Sequence, residues 1–508
     1  MAAVLSPDVN GLGPSVASDV ETRERFALIR RFAGVDAMRV TWALPLIVAV
    51  GFGLRLFHIG DQSIWLDEAF SYALAQRSLA DIVAFTAQYD AHPPLYYLLL
   101  HIWMGLGRSE EMLRLLSAVA GTAAIGAMFL LGRQLYGERG GLVAAAVLAI
   151  SPFHIWYSQE TRMYALLSVL LIFTAVTYVR AIQTERFQDW IHFGCLGGVS
   201  MLTDNATIWF LAALFVFTVI YGQPRSPGWL SSHVLIGAIY LPWLPAFFRQ
   251  TVSVTSTFWL PPTTAADVSD ALVTFVSRAF PWSFLPLALL TSAAVLAMLV
   301  PTPRPREREL PFLILVVPLV VSLLLSLKQP IFLARNLLPA SLGLYLLVTR
   351  AILSLGPVGG VVLGASPLFA MNAVSMGEGY FMEKKEDWRS AAFFIRDQAQ
   401  PGDQLLFDAG YGELPFRYYE DQLGFSLPSV GYPNREGLLD PAAPPLGDLA
   451  QAMKPGQRVW VVLSHDATVD PHGVVEEWFD AHAVALTQAD FTLVRVRLFG
   501  LQPDIRDG

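Results

Sequence analysis

Long apolar stretches separated by short clusters of arginine run from about residue 41 to residue 375 and constrain the fold more than any other feature. The first stretch, Thr41–Phe57, can cross a bilayer if its ends lie in the interface. The sequence therefore predicts an α-helical polytopic membrane protein with about eleven transmembrane helices. The further predicted spans are Leu113–Leu131, Gly141–Ile155, Met163–Tyr178, Ile191–Thr203, Ile208–Tyr221, Leu230–Phe247, Phe284–Val300, Leu310–Leu325, Leu338–Val348 and Ala351–Ala373.

The positions of the charged residues predict how the chain is oriented. Positive residues tend to remain on the cytoplasmic side, and arginines recur in alternate loops, near residues 133–139, 180–186, 304–308 and 350. We therefore expect a multi-pass protein of the bacterial inner (plasma) membrane with a cytoplasmic N-terminal tail, residues 1–40. The opposite loops, which include the Asp67-Glu68 segment, Trp156–Arg162, Phe248–Asp270 and Lys328–Arg335, would be extracytoplasmic. A net charge of −8 gives no basic face suited to nucleic acid.

A change in hydrophobic and charged composition divides the chain into a membrane domain, residues 41–375, and a soluble C-terminal domain, residues 380–508. The first outer loop contains two helix-like pieces, Leu74–Thr86 and Pro94–Met104, which are too short to span and are expected to lie along the interface. After residue 380 helical and strand patterns mix, so we expect a small extracytoplasmic α/β domain. Its predicted strands are Gln404–Phe407, Val459–Leu463 and Phe491–Leu498.

Ionisable side chains beside the bilayer mark candidate functional residues. They fall in three outer loops: Asp67, Glu68 and His92 in the first, Glu160 and Arg162 in the second, and Lys328 and Arg335 in the third.

Each cluster taken alone has a simpler interpretation. The Asp67-Glu68 pair could simply cap a helix that begins near Ala69. The second cluster could be a surface ion pair, and the cations of the third could extend along the membrane interface by snorkelling. Together, however, they place acids and cations on one face. Arginine binds phosphate bidentately and a carboxylate can accept a proton from an attacking hydroxyl, so the combination suits group transfer from an anionic lipid-borne donor.

Residues 40–350 also contain several short motifs. They are Arg55, Trp65-Leu-Asp67-Glu68, His92-Pro93-Pro94-Leu-Tyr96, Arg114-Leu-Leu-Ser117, Ser151-Pro152, Gln159-Glu160-Thr-Arg162-Met-Tyr164 and Arg335-Asn-Leu-Leu-Pro339. In order and spacing this set resembles the family 39 glycosyltransferases, which include protein O-mannosyltransferases and the aminoarabinose transferases of lipid A.

The resemblance implies the GT-C fold and an inverting hexosyl or pentosyl transfer. The sugar would pass from a polyprenyl-phosphate donor to a hydroxyl of a lipid, glycan or protein acceptor outside the cytoplasm. Asp67 would be the general base with Glu68 beside it, and Glu160 would be a further active-site acid. His92 occupies the place of a lysine in the lipid A enzymes. The implied phosphate-binding residues are Arg335, Arg162, His92, Arg55 and Lys328, and the implied substrate-pocket residues are Trp65, Tyr96 and Tyr164.

Two alternatives stay open at this point. No cofactor is required, but a divalent metal remains an alternative because Asp67, Glu68, Glu160 and His92 are hard or borderline ligands. The rival function is a polytopic transporter or flippase of lipid-linked sugars, which would favour internal repeats and helices broken at the midplane. The sequence shows no convincing repeat, and its key charges lie in the outer loops.

Overall fold

The computed structural model describes residues 42–222, 226–257, 263–275, 284–382, 385–432, 449 and 453–502. The predicted tail, residues 1–40, and part of the predicted loop Phe248–Asp270 lie outside the described residues. The described part consists of a helical region followed by a smaller region that contains a β-sheet.

The helical region is a multi-pass membrane domain. Among the described residues, six helices are long and apolar enough to cross a membrane, and three apolar helices are shorter. In chain order its helices are α1 Trp42–Leu56, α2 Leu66–Ala75, α3 Leu79–Tyr89, α4 Leu95–Trp103, α5 Glu110–Ala149, α6 Pro152–Ser158, α7 Tyr164–Thr184, α8 Phe187–Met201, α9 Thr207–Tyr221, α10 Pro227–Tyr240, α11 Leu244–Thr257, α12 Ala265–Thr274, α13 Phe284–Leu299, α14 Glu309–Ser326, α15 Leu338–Ser354 and α16 Gly356–Phe381.

Helix α5 is interrupted at Gly137, whose φ of 79° and ψ of −177° break the helical backbone. Only glycine adopts such a conformation readily, so the chain turns there between two apolar segments. The predicted separation of Leu113–Leu131 from Gly141–Ile155 is therefore confirmed. The second segment ends at Ala149, earlier than predicted, because a new short helix, α6, begins at Pro152 with Ser151 as its N-cap.

Helix α15 lies at the centre of the membrane domain, since all its residues from Leu338 to Ile352 are buried. Its close packing on α14 depends on Gly343, where an added Cβ would lie 2.5 Å from the backbone nitrogen of Leu315 and the carbonyl oxygen of Pro311. Near its C-terminal end, Arg350 donates to the carbonyl of Ala297 at 3.0 Å. Arg350 also lies 3.7 Å from Glu307, so the predicted Arg304–Arg308 and Arg350 loops lie at one end of the domain.

The first loop differs from the sequence prediction in one respect. The predicted single helix Leu74–Thr86 is wrong, because α2 ends at Ala75 and α3 begins at Leu79. The break is stabilised by Ser78, whose hydroxyl accepts a hydrogen bond from the backbone of Asp81 as an N-cap. The second predicted piece, Pro94–Met104, is confirmed as α4.

The C-terminal region is a small α/β domain, as predicted. Its five-stranded sheet has the order β2-β1-β3-β5-β4, in which β1 is parallel to both β2 and β3, whereas β5 is antiparallel to β3 and β4. The helices are α17 Trp388–Gln398, α18 Glu413–Leu423, α19 Asp466–Val469 and α20 Val474–His482, and the strands are β1 Gln404–Asp408, β2 Ser429–Tyr432, β3 Arg458–Leu463, β4 Ala483–Phe491 and β5 Val494–Leu501.

An acidic group lies at the carboxyl ends of β1 and β3 in this domain. Asp408 is 1% exposed. Burial and the neighbouring carboxylates of Asp470, Asp466 and Glu476 raise the pKa of Asp408 to about 7. The stability of the C-terminal domain should therefore depend on pH near neutrality.

Candidate active site

Asp67 and Glu68 occupy the first turn of α2, directly after Trp65. Acids are favoured there by the helix dipole, but the expected cap is wrong, because the helix begins at Leu66 rather than near Ala69 and its N-cap, Trp65, makes no side-chain capping hydrogen bond. The two carboxylates nevertheless have different surroundings. Glu68 is 0% exposed, whereas the side chain of Asp67 is 28% exposed.

Glu68 is held in a buried ion pair with Arg114 of α5. The guanidinium of Arg114 donates to both carboxylate oxygens, at 2.8 and 2.7 Å, and the backbone N–H of Thr161 donates at 2.9 Å. Burial by itself would raise the pKa of Glu68, but the positive charges of Arg114 and Lys385 outweigh it and lower the pKa to about 2. Glu68 is therefore an anion with its oxygens occupied by protein donors.

Arg114 also fixes the backbone that leads into α2. Its guanidinium donates to the carbonyls of Ile59, Gln62 and Ser63, at 2.9, 2.8 and 3.0 Å. The planar guanidinium thus joins the first loop, α2 and α5 in one network.

Asp67 faces a cation that is 268 positions later in the chain. One guanidinium nitrogen of Arg335, in the turn before α15, lies 3.4 Å from Asp67 Oδ2. The side chain of Arg335 is 37% exposed. The pair is therefore partly open, and an incoming group can reach either member.

Arg162 contacts the start of α2 and is 4% exposed. Its Nη1 donates to the Asp67 carbonyl at 3.5 Å, to the Ser71 hydroxyl at 3.4 Å and to the Tyr97 hydroxyl at 3.3 Å. Its Nε has no hydrogen-bond partner among the described residues. Burial disfavours the guanidinium charge, but Tyr97 and Asp67 outweigh burial and raise the pKa of Arg162 well above its usual value. A permanently charged donor is thus held beside Asp67.

His92 is paired with Asp90, since its Nδ1 lies 3.1 Å from Asp90 Oδ1. Burial would raise the pKa of Asp90, but His92 and Arg162 outweigh it and lower that pKa. The side chain of His92 is 23% exposed. The contact therefore orients the imidazole and leaves part of it accessible.

Glu160 is buried and shares a cation with Glu68. The ammonium of Lys385 lies 3.4 Å from Glu68 Oε2 and 3.6 Å from Glu160 Oε1. Lys385 belongs to the connector between α16 and α17, so the second and first loops meet a third segment from much later in the chain. Its ammonium also lies 5.3 Å from the ring centre of Trp65.

Two other predicted site residues, Arg55 and Tyr96, are completely buried. The structure does not bring Arg55 to the Asp67 region: Arg55 is 0% exposed, and its guanidinium donates to the Gly51 carbonyl at 2.8 Å and to the Ser158 hydroxyl at 3.2 Å. Tyr96 is 0% exposed, with its hydroxyl 3.2 Å from that of Ser117. Arg55 and Tyr96 are therefore parts of the packed interior.

The last two predicted site residues, Tyr164 and Lys328, lie in different surroundings. Tyr164 begins α7, is 2% exposed and has the guanidinium carbon of Arg162 6.0 Å from its ring centre, so it lies near the group. Lys328 follows the end of α14 and is exposed. Within the described ranges, no hydrogen bond or ion pair reaches the Lys328 ammonium.

Sequence reasoning missed three members of this site. Arg114 was part of a motif but had no assigned role, and Asp90 and Lys385 were not assigned either. The available signal was charge balance, because two buried acids, Glu68 and Glu160, require cations. Hydropathy did not indicate which cation would reach them.

The described residues include no group of three or more His, Cys, Asp or Glu side chains placed to hold a metal ion. Glu68, one of the candidate ligands, has Arg114 and Lys385 at its oxygens.

A protein family matches part of the sequence, and solved structures share the architecture. Residues 91–247 match the dolichyl-phosphate-mannose-protein mannosyltransferase family. The apo structure of ArnT from Cupriavidus metallidurans is similar with a TM-score of 0.50 at 15% identity, over 90% of this chain and 98% of ArnT. The archaeal oligosaccharyltransferase AglB from Archaeoglobus fulgidus, in complex with an inhibitory peptide and a dolichol-phosphate, has a TM-score of 0.56 at 11% identity, over 93% of this chain and 75% of AglB.

The chain has the GT-C fold. The resemblance to family 39 glycosyltransferases is thus confirmed for the architecture and, through the family match, for residues 91–247. None of the curated protein sequences matches the chain. In this GT-C chain the acidic start of α2, the 160–162 segment and the turn before α15 meet at one place, as the contacts above show.

Proposed function

We propose that the protein is an inverting glycosyltransferase that moves a sugar from a polyprenyl-phosphate donor to a hydroxyl of a lipid, glycan or protein acceptor. The observation that carries the proposal is the pairing of a partly exposed carboxylate, Asp67, with the partly exposed guanidinium of Arg335 at 3.4 Å. A base and an anion-binding cation thus lie side by side and accessible. That pairing suits the activation of an acceptor next to a phosphate leaving group.

In the proposed reaction Asp67 accepts the proton of the acceptor hydroxyl. The acceptor oxygen forms a bond to the anomeric carbon while the bond from that carbon to the phosphate oxygen breaks. The electron pair leaves with the polyprenyl phosphate, which departs as an anion. A separate acid for the leaving group is therefore less necessary than in hydrolysis of an alkyl glycoside.

The cations would hold the donor phosphate. Arg335 is partly exposed, and Arg162 has an Nε without a partner among the described side chains. The matched family is named after dolichyl-phosphate-mannose, and the AglB structure contains a dolichol-phosphate. These facts support a lipid-phosphate donor for this chain.

Other residues take supporting roles in the proposal. Glu68 positions the α2 start through Arg114 and is not the base, because both its oxygens are occupied. Glu160 is a buried acid two residues before Arg162. His92, Trp65 and Tyr164 are proposed to contact the donor or acceptor.

The proposed site faces the extracytoplasmic side of the membrane. The loops that meet at Asp67 lie at the opposite end from the arginine-bearing turns near residues 133–139 and 304–308, and positive turns favour the cytoplasm. The C-terminal domain contacts the Asp67 end and would be extracytoplasmic as well.

The test is Asp67→Asn in purified protein supplied with a polyprenyl-phosphate sugar and a hydroxyl acceptor. We expect kcat to fall by about 10²–10⁴, because the amide cannot accept the proton. Asp480→Asn, at an exposed position of α20, is the matched control and should retain full activity. A variant Asp67→Asn that released polyprenyl phosphate at the normal rate would refute the assignment.

The same assay separates the rival functions. A flippase would move the lipid-linked sugar between leaflets of a vesicle without releasing polyprenyl phosphate, whereas a transferase releases it. Repeating the assay with EDTA tests whether a divalent metal is needed.

A further inference from the structure

Lys385 reaches the candidate active site from outside the membrane domain. It lies three residues before α17, and its side chain is 11% exposed. Its ammonium is within 3.6 Å of both Glu68 and Glu160, and it lies 5.3 and 5.5 Å from the ring centres of Trp65 and Trp156. Aromatic faces at such distances stabilise a cation, so two acids and two aromatic rings together define the position of the lysine ammonium.

The two acids that Lys385 contacts belong to the segments that carry the proposed chemistry. Glu68 follows Asp67 in the first turn of α2, and Glu160 is two residues from Arg162. One ammonium therefore joins the segment of the base to a segment of the phosphate site. Arg114 balances the charge of Glu68, and Lys385 adds a second positive charge beside Glu68 and Glu160, so its removal makes the place where an anionic donor must bind more negative.

The connector is held in place by the C-terminal domain. Arg389 of α17 donates to Glu110 of α5 at 2.9 Å and to the Gly60 carbonyl at 2.7 Å. Tyr419 of α18 donates to Glu110 at 2.8 Å, and its hydroxyl lies 2.9 Å from that of Ser63. The domain is therefore anchored on the same loop that leads into α2.

The backbone of the connector is anchored as well, because the N–H of Lys385 donates to the side-chain carbonyl of Gln62 at 3.2 Å. Gln62 in turn offers its backbone carbonyl to Arg114 at 2.8 Å. The docked domain thus determines where Lys385 enters the membrane domain.

We infer that the C-terminal domain completes the active site by placing Lys385 between Glu68 and Glu160, and that Lys385 is a positioning residue for binding of the polyprenyl-phosphate donor. The inference rests on the proposed glycosyl transfer for its purpose. Physically, the soluble domain places one positive charge beside two buried acids. Removing that charge should weaken the binding of a lipid phosphate.

The first measurement is the binding of undecaprenyl phosphate to the full-length protein in detergent. We expect Lys385→Gln to raise the Kd about tenfold or more and Lys385→Arg to restore most of the affinity, because it keeps the charge. The thermal midpoint shows that each variant is folded. An unchanged Kd in folded Lys385→Gln would overturn the inference.

The second measurement tests the role of domain docking. Arg389→Gln removes an anchor without touching Glu68 or Glu160, so it should raise the Kd as Lys385→Gln does. Combining the two changes should add little, since both act through the same ammonium. Arg396→Gln, on the same helix but paired with Asp397 at the surface, is the matched control and should leave the Kd unchanged. Fully additive effects of the two changes would contradict the proposed route.

Turnover separates this inference from the proposed function. If the wild-type protein binds undecaprenyl phosphate and Lys385→Gln weakens that binding, the inference holds even if no sugar is transferred, and the proposed function alone fails. If sugar is transferred and Lys385→Gln leaves both the Kd and the donor KM unchanged, the inference alone fails.

Discussion

The buried pair of Glu68 and Arg114 offers a sharp test of the proposed architecture. Arg114→Met keeps an unbranched apolar stem and removes the charge and the hydrogen-bond donors of the side chain. Glu68 is 0% exposed and would lose two hydrogen bonds, keeping the Thr161 N–H and the Lys385 ammonium. Removing one partner of a buried ion pair costs about 3–5 kcal/mol, since the other charge remains buried.

The loss of the backbone contacts adds to this cost. Arg114 also donates to three carbonyls of the first loop, and each carbonyl left unsatisfied costs about 1–3 kcal/mol if water cannot reach it. We therefore expect Arg114→Met to lower the free energy of unfolding by at least about 3–5 kcal/mol. If each kcal/mol shifts the thermal midpoint by about 2 °C, the midpoint should fall by about 6–10 °C or more.

The assay is thermal unfolding in detergent, followed by tryptophan fluorescence and by size exclusion. Arg133→Met on the same helix is the matched control, because Arg133 pairs with Glu138 at the surface and such pairs contribute about 0–1 kcal/mol. The double variant Glu68→Gln/Arg114→Gln should be more stable than Arg114→Met, since it also removes the buried negative charge at residue 68. The reasoning is refuted if Arg114→Met unfolds at the same temperature as Arg133→Met, or if the double variant is the least stable of the three.

Two further predictions concern packing and pH. Gly343→Ala should destabilise the membrane domain, because its Cβ would lie 2.5 Å from backbone atoms of Leu315 and Pro311. Gly237→Ala, whose Cβ would have nothing within 4 Å, should be neutral or stabilising by up to about 1 kcal/mol. Equal thermal midpoints for the two variants would contradict the packing described for Gly343. Burial and neighbouring acids raise the pKa of Asp408 from 3.8 to about 7, so its stabilising contribution is present below about pH 4 and is lost as the pH rises to about 7. The thermal midpoint should fall from pH 5 to pH 8, and Asp408→Asn should flatten that slope; an unchanged slope would show that Asp408 is not responsible.

Local patterns in the sequence predicted the helical architecture well. A bilayer requires long apolar segments, so hydropathy located helices such as α7 and α14, and the arginine clusters indicated which turns share one end. The strand patterns at Gln404 and Val459 were also sufficient for β1 and β3. The error at residues 74–86 arose because apolar periodicity continued through a break that one serine N-cap stabilises.

The candidate site was only partly predictable for a physical reason. Adjacent acids such as Asp67 and Glu68 look alike in sequence, and only the surrounding fold makes one a buried ion pair and the other an accessible carboxylate. The same limit applies to Arg55, for which the family resemblance implied phosphate binding, although its guanidinium is occupied by carbonyls and Ser158. Contacts between distant segments decide such roles, and hydropathy contains no information about them.

The contact between Lys385 and Glu68 has a consequence for the biogenesis of the protein. The two residues are 317 positions apart, so at typical rates of synthesis roughly half a minute separates the appearance of the acid from that of its lysine. During that time the first loop and the early helices are already translated while the position between the two acids has no ammonium. On the role inferred for Lys385, the nascent chain therefore acquires its full affinity for lipid phosphates only when the last segments of the chain have been made and have folded.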